Sequence, residues 1–246
     1  MNNKLICLDS VDSTNTYLRK LAREGCDEGT VVIADTQTAG RGRMGRGFYS
    51  QSGAGVYLSV LLKPDCTPEQ AATLTPHVAV AVRKAIERVC KVKPDIKWVN
   101  DLLINGRKIC GVLCESVIGP DGMPDYVICG VGVNVSNRTE DFPEELRSIA
   151  GSIFTQTGLL PERGTIIAAI IEEIMRMYAR WTKDKTAYLA QYREGCITTG
   201  KYVRIKTVDG ERDAFAKEIS EDFGLTVNTN GGTVTLRSGE VTIINE

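Results

Sequence analysis

Hydrophobic residues recur along this chain in two patterns, one typical of strands and one typical of helices. Alternating or continuous apolar runs predict strands at 4–8, 30–35, 56–62, 95–98, 102–104, 109–118 and 126–135. Helical spacing predicts helices at 12–25, 69–90, 165–182 and 183–194. Pro76 predicts a kink or a break in the second of these helices, because proline lacks a backbone donor and crowds the preceding turn.

Turn signals arrange the central strands as an antiparallel meander. The pair Asn105-Gly106 stands between apolar runs, and both residue types tolerate the positive φ angles that a two-residue hairpin requires. A second turn, Gly-Pro-Asp-Gly at 119–122, separates the next two strands. Because no helix stands between these strands, they are not successive βαβ units. The expected fold class is α+β, with a mixed, largely antiparallel sheet and flanking helices.

The pattern changes beyond Gly200, where short alternating runs are separated by turns rich in glycine and aspartate. These runs lie at 202–205, 214–216, 225–227 and 233–236. Such a series predicts a small β-barrel. We place a domain boundary near 195, which divides the chain into domains 1–195 and 196–246.

The composition is that of an ordinary globular protein, since 42% of the 246 residues are hydrophobic and 25% are charged. A formal net charge of −1 gives no overall field that attracts nucleic acid, so no nucleic-acid partner is expected. No run approaches the roughly 18 apolar residues of a membrane span, and no signal peptide is recognisable. Eight cysteines without a Cys-x-x-Cys pair, and a single histidine, argue against a zinc site and favour free thiols in a reducing cytoplasm.

The run Gln37–Gly47 ends in eight residues that contain four glycines and three arginines. Glycines let backbone N–H groups approach an anion, and arginine supplies a permanently charged, bidentate fork. The run follows the apolar stretch 30–34, so it indicates a phosphate-binding loop on a rigid element. Taken alone, it is equally typical of a disordered basic linker or of an Arg/Gly segment that binds RNA. The net charge of −1 and the aromatic content of 6% argue against the RNA-binding alternative.

Three further segments carry candidate chemistry. Ser13 and Thr14 place hydroxyl groups at the start of a helix, where they either bind a ligand or simply cap the helix. Lys108 lies on a strand with apolar neighbours, so it either has an anionic partner or faces solvent at a strand edge. The segment Gly130–Asn134 lies within a strand, where small residues leave room for a ligand against the sheet.

Residues 10–135 closely resemble the catalytic domain of biotin–protein ligases. The resemblance rests on five segments in the family's order and at about its spacing, namely Asp12–Asn15, Gln37–Arg46, Lys97–Asp101, Lys108–Gly111 and Gly130–Asn134. The strands beyond 195 are similar to that family's C-terminal SH3-like barrel. The resemblance implies a class II synthetase-like catalytic domain followed by this barrel.

The resemblance also implies a role for each matching position. It implies biotin contacts at Ser13, Thr14, Asn15, Gln37, Gly40, Arg41, Gly42, Arg43, Lys108, Gly111, Leu113 and Gly130. It implies ATP contacts at Arg41, Arg43, Phe48, Lys97, Asn100, Lys108 and Asn134. It implies catalytic roles for Lys108, Arg43 and Asp101, with Asp101 facing the incoming lysine. Mg²⁺ is expected to enter with ATP, and no protein side chain is assigned to it.

The sequence departs from the family pattern at two positions, Val99 where proline is usual and Phe48 where tryptophan is usual. Phe48 keeps an aromatic ring for stacking on adenine, and neither change removes a charge. The first catalytic strand begins near residue 4. We therefore expect a monofunctional member, without the N-terminal helix-turn-helix that bifunctional members carry.

The implied function is an ATP-dependent ligase that forms biotinyl-5′-AMP and transfers biotin to a lysine of a biotin carboxyl carrier protein. The alternative is a lipoate or octanoate ligase or transferase of the same fold. Its straight acyl chain needs no polar site of the kind that Ser13, Thr14 and Gln37 offer. We expect the carrier to dock along an edge of the catalytic sheet near Asp101. A homodimer is left open.

Overall fold

The structure, a computed structural model, describes residues 4–183, 185–207 and 210–244. Its strands are β1 Leu5–Val11, β2 Val31–Gln37, β3 Gly55–Leu62, β4 Asp95–Lys97, β5 Asp101–Ile104, β6 Arg107–Ile118, β7 Pro124–Asn134, β8 Lys201–Thr207, β9 Gly210–Ile219, β10 Leu225–Thr229, β11 Gly232–Leu236 and β12 Glu240–Ile243. Its helices are α1 Thr14–Arg23, α2 Pro68–Ala72, α3 Leu74–Cys90, α4 Ile153–Thr157, α5 Arg163–Tyr178 and α6 Lys185–Gly195. Position 184 of the helix predicted at 183–194 lies outside the described residues. Within these ranges, no helix combines the length and the apolar character of a membrane span.

The larger sheet has the strand order β1-β2-β3-β7-β6-β5-β4. β1 and β2 are parallel, and all the remaining neighbouring strands of this sheet are antiparallel. The predicted hairpin joins β5 to β6 through Asn105 and Gly106, whose φ angles are 50° and 75°. The sheet is mixed and largely antiparallel, so the predicted α+β class is confirmed.

The helix predicted at 69–90 is two helices, and the break falls at Thr73, in the turn that precedes Pro76. After α2, the amide and the hydroxyl of Thr73 both donate to the Gln70 carbonyl, at 3.0 and 2.7 Å. Pro76 lies in the first turn of α3, where a helix needs no backbone N–H donor. Because Pro76 cannot donate to the carbonyl of Ala72, four residues earlier, the predicted break is present, and the proline itself lies in the first turn of the second helix.

The two faces of the larger sheet are covered differently. α3 and α5 pack on one face, against strand residues such as Val60, Val112 and Cys129. α1 packs on the other face over β2, β3 and β7, where it covers Leu61 and Ile128. Asn15 and Arg19 of α1 contact β6, and a cavity lies beside them over β5, β6 and β7. The topology thus places the cavity beside the N-terminus of α1.

The second sheet is antiparallel and has the order β11-β10-β9-β8-β12. The turn between β9 and β10 packs against α3 and α6. The centroid of the Phe223 ring lies 4.7 Å from that of the His77 ring and 5.4 Å from that of the Tyr192 ring. The Trp98 indole donates to the Phe223 carbonyl at 2.9 Å. Buried side chains of both sheets form one continuous core. The proposed boundary between 195 and 196 falls between α6 and β8.

The edge of the larger sheet nearest Asp101 is used by the chain itself. Ile96 of β4 forms a parallel bridge with Cys196, and the Ile197 amide donates to the Ile96 carbonyl at 3.0 Å. A carrier cannot add a strand at this bridge, because these backbone groups already have partners. The opposite edge of the sheet is β1. The expected docking edge near Asp101 is therefore already occupied at Ile96.

Candidate active site

A cavity lies between the N-terminus of α1, the Gly/Arg loop (residues 40–47) and strands β5 to β7. Residues 239–241 of the second sheet also line it. The predicted site residues that line it are Ser13, Thr14, Asn15, Gln37, Arg41, Gly42, Arg43, Phe48, Lys97, Asn100, Asp101, Lys108, Gly111, Leu113 and Gly130. Gly40 and Asn134 are not among the lining residues. The fold thus brings together motifs that are far apart in the sequence.

The start of α1 forms a polar end of the cavity. Ser13 precedes the helix and is buried, but its hydroxyl caps no backbone N–H group among the residues described. Instead, the Thr14 amide donates to Gln37 Oε1 at 2.9 Å. The Gln37 side-chain amide donates to the Ser50 hydroxyl at 2.9 Å, which fixes the orientation of the glutamine. Ser13 is therefore not a simple helix cap.

Asn15 is fixed by partners that sequence analysis missed. Ser59, which is wholly buried on β3, donates its hydroxyl proton to Asn15 Oδ1 at 2.6 Å. Asn15 Nδ2 donates to Glu115 Oε2 at 2.8 Å. A Cβ at Gly130 would overlap Asn15 Oδ1, so glycine at this position makes room for the asparagine. The sequence carried one signal for this contact, since Ser59 interrupts the apolar run of β3.

Two glycines on neighbouring strands form an open floor. Gly111 on β6 and Gly132 on β7 are paired directly across the sheet. The Phe48 ring lies over them, since an added Cβ would stand 2.5 Å from the ring at Gly132 and 3.4 Å from it at Gly111. Only glycine at 132 lets an aromatic ring come this close to the backbone. The aromatic side chain predicted to contact ATP thus lies inside the cavity.

Lys108 reaches the cavity because β6 is bulged opposite β5. Leu102 pairs with Cys110 but Leu103 pairs with Lys108, so β6 holds one extra residue. Strict alternation would have placed Lys108 on the face that packs against α3, together with Cys110. The bulge moves the lysine to the face of Gly111, and its Nζ forms an ion pair with Asp101 Oδ1 at 2.7 Å. The lysine therefore has the anionic partner that its position requires.

The lining of the cavity carries a surplus of positive charge. The lining contains three arginines and two lysines but only two carboxylates, counted over the part of the chain that is described. Burial lowers the pKa of Lys97, and nearby Lys108 adds to this effect while Asp101 opposes it. Burial also lowers the pKa of Arg43, again opposed by Asp101, but a guanidinium stays charged at neutral pH. The surplus of cations suits a ligand with several negative charges.

The Gly/Arg loop forms a compact turn over the cavity. Its base is closed by the Phe48 amide, which donates to the Gly40 carbonyl at 2.8 Å. Gly40 is thus part of the base of the loop and not of the cavity wall. Arg46 forms an ion pair with Glu240 at the start of β12. The second sheet therefore contacts the loop, which the sequence did not reveal because the two residues are far apart in the chain.

Two asparagines predicted to contact ATP have protein partners. Asn100 Nδ2 donates to the Val112 carbonyl at 2.7 Å, and its Oδ1 accepts from Arg43 at 3.4 Å. Asn100 thus orients a cation of the cavity. Asn134 is buried and donates to the Gly151 carbonyl at 3.0 Å. Its contact with ATP stays a prediction, since the structure places it outside the lining.

A mixed sheet carries a glycine- and arginine-rich loop over a cationic cavity, an arrangement that suits an enzyme acting on a substrate with several negative charges. Residues 7–134 match the biotin/lipoate A/B protein ligase family. The chain belongs to this family, and the resemblance seen in the sequence is confirmed.

Relatives of this chain cover most of its length. It is 36% identical over 242 residues to the bifunctional ligase/repressor BirA of Bacillus subtilis. The matched region covers 98% of this chain and 74% of that protein. It is 33% identical over 235 residues to the biotin–[acetyl-CoA-carboxylase] ligase of Mycobacterium tuberculosis, covering 93% and 85% of the two chains. The solved biotin protein ligase of Aquifex aeolicus, in complex with biotin and ATP, matches with a TM-score of 0.83 and 28% identity over 99% of both chains.

Proposed function

We propose that this protein is an ATP-dependent ligase that activates biotin as biotinyl-5′-AMP and transfers the biotinyl group to a lysine of a biotin carboxyl carrier protein. Relatives named biotin–[acetyl-CoA-carboxylase] ligase support this reaction. The observation that carries the proposal is a cavity with two different ends. One end, at the start of α1, offers hydrogen-bonding groups, and at the other end Arg43, Lys97 and Lys108 lie around Asn100 and Asp101.

The polar end supports biotin as the acid. The ureido ring of biotin has two N–H donors and one carbonyl acceptor, which the Ser13 hydroxyl and the Thr14–Gln37 pair can match. The dithiolane ring of lipoate and the alkyl chain of octanoate have neither N–H donors nor a carbonyl acceptor at this end. They would leave the buried Ser13 hydroxyl without a partner, at a cost of about 1–3 kcal/mol. The polar end therefore favours biotin over these alternatives.

The cationic end supports the first chemical step. A carboxylate oxygen of biotin attacks the α-phosphorus of ATP, the bond to the β-phosphate oxygen breaks, and pyrophosphate leaves. The two reactants repel each other, so fixed positive charges are needed to bring them together. Arg43 and Lys108 line the cavity around Asn100 and Asp101, and Arg41 lines it from the loop beside the polar end. Mg²⁺ is proposed to enter with the triphosphate of ATP.

The second step requires a neutral amine beside the mixed anhydride. The amine attacks the carbonyl carbon, the carbon–oxygen bond to the phosphate breaks, and AMP leaves with the bonding electrons. We assign Asp101 to the proton of the incoming lysine, because its carboxylate lines the cavity 2.7 Å from Lys108 Nζ. When Lys108 turns to the phosphate of the adenylate, Asp101 becomes free to accept this proton and pass it to solvent.

The cellular compartment, the acceptor protein and the oligomeric state are also proposals. All eight cysteines are free thiols, which agrees with a reducing cytoplasm. The acceptor is proposed to be a folded carrier, since the reaction joins biotin to one particular lysine. A homodimer stays a prediction.

Pyrophosphate release with ATP and each of three acids tests the proposed function. Biotin should support release, and lipoate and octanoate should support it far more weakly. The variant Ser13→Ala should weaken the preference for biotin, whereas Ser116→Ala, which alters an exposed serine of β6, should leave it unchanged. A higher rate with lipoate or octanoate than with biotin would assign the protein to the other branch of its family.

A further inference from the structure

One carboxylate joins three elements beside the polar end of the cavity. Glu115 Oε1 lies 2.9 Å from Arg41 Nη2 of the Gly/Arg loop and 3.0 Å from Arg19 Nη2 of α1. Its Oε2 accepts a hydrogen bond from Asn15 Nδ2 at 2.8 Å. The Glu115 side chain is only 17% exposed and stands on β6, where Glu115 pairs with Ile128 of β7. The loop, the helix and the sheet are thus connected through a single side chain.

The two arginines depend on this carboxylate in different ways. Both guanidinium groups contact the same oxygen, so they stay close together only while the negative charge lies between them. Arg19 is held by the backbone of α1. Arg41 stands between Gly40 and Gly42, where the backbone has the most freedom to move. If the charge of Glu115 is removed, the loop is the part that will move away.

We propose that Glu115 is a positioning residue that holds the Gly/Arg loop closed over the reaction intermediate. Its ion pair with Arg41 fixes the start of the loop, and the ion pair of Arg46 with Glu240 fixes the end of the loop. The same carboxylate orients Asn15 of the polar end, so a single group aligns the loop with the acid-binding end. The contact between Glu115 and the loop does not depend on the proposed function. Only the identity of the intermediate, biotinyl-5′-AMP, rests on that function.

Tryptic cleavage measures the loop directly, because the loop contains its own cleavage sites. In the free protein, Glu115→Gln should raise the rate of cleavage after Arg43 and Arg46 by about tenfold, the scale of one lost charge-assisted hydrogen bond. Cleavage after the exposed Arg138 in the same digest should not change. The matched variant Arg19→Gln removes the competing cation and leaves the carboxylate to Arg41. It should therefore leave loop cleavage equal to that of the wild type or lower.

The outcomes separate positioning from general loss of structure. The proposal is supported if the loop is cleaved faster in Glu115→Gln than in the wild type and no faster in Arg19→Gln. Equal acceleration in both variants, or no acceleration in Glu115→Gln, overturns it. If Glu115→Gln fails to fold, Arg41→Gln replaces it, with cleavage read after Arg43 and Arg46. Unchanged cleavage in Arg41→Gln overturns the proposal, and faster cleavage supports it.

A second measurement connects the loop to the reaction. With biotin and ATP, Glu115→Gln should release biotinyl-5′-AMP about tenfold faster than the wild type, with a smaller change in the rate of its formation. Glu211→Gln, which removes an exposed ion pair with Lys206, is the control and should change neither rate. Unaltered release from a variant with faster loop cleavage would refute the role over the intermediate. Absence of any adenylate in the wild type would instead refute the proposed function and leave the loop contact standing.

Discussion

Replacing Lys108 by methionine tests the cationic end of the cavity most sharply. Methionine keeps most of the stem but removes a charge that lies 2.7 Å from Asp101 Oδ1. Two losses follow: the reacting carboxylate and α-phosphate lose a fixed cation, and the unpaired Asp101 carboxylate repels both. Loss of one preorganised contact to developing charge slows a reaction by about 10²–10³-fold. We therefore expect adenylate formation to fall by at least about 10²-fold. The fold should persist, because the Lys108 side chain is 32% exposed.

A double variant separates the two losses. In Lys108→Met/Asp101→Asn the repelling carboxylate is gone, so the rate should recover by about tenfold over the single variant. Lys93→Met is the matched control, since it removes an ion pair of the same length, 2.7 Å to Glu194, away from the cavity. Single-turnover formation of biotinyl-5′-AMP gives each rate. A single variant within about threefold of the wild type, or a double variant slower than the single one, would refute the reasoning.

Three further predictions concern the loop, the second step and pH. Arg43→Gly should let the adenylate escape, because it removes a partly buried cation from the loop. Labelling of an unrelated protein by biotin measures the escape, and retention of the adenylate equal to that of the wild type contradicts the prediction. Asp101→Asn should slow transfer to the carrier more than adenylate formation, and equal losses would mean that Asp101 serves only to orient Lys108. Burial lowers the pKa of Lys97, so its charge is lost at a lower pH than that of an ordinary lysine. The KM for ATP should accordingly rise on the alkaline side, and Lys97→Arg should move this rise to higher pH; an identical profile in the variant contradicts the assignment.

Features with local chemical causes were predictable from the sequence. The Asn105-Gly106 hairpin follows from the φ angles that these residues tolerate, and the structure has it in place. The glycines and arginines of the loop are likewise read directly from the chain. The orientation of Lys108 was not predictable in this way, because it depends on the extra residue in β6 opposite Leu102 and Leu103. A bulge reverses which face a side chain takes, and no composition signal marks it.

Partners from distant parts of the chain were also missed. Glu115 contacts a loop and a helix whose sequences contain no sign of it, and Glu240 reaches the loop from the second sheet. Such pairs form only when the topology brings β6, α1 and β12 to the same cavity. Ser59 is an intermediate case, since a serine within an apolar strand signals a buried polar contact but not its partner. The break at Thr73, by contrast, was predictable from Pro76, which removes the backbone donor to the Ala72 carbonyl.

The fate of the biotin carboxylate oxygens tests the central claim most directly. Biotin labelled with ¹⁸O at both carboxylate oxygens is incubated with the enzyme, ATP and a carrier domain, and the products are analysed by mass spectrometry. If the carboxylate attacks the α-phosphorus and the lysine then attacks the carbonyl carbon, AMP must gain one ¹⁸O and the new amide must keep the other. Pyrophosphate must stay unlabelled. AMP without ¹⁸O, or label in pyrophosphate or inorganic phosphate, would contradict the account.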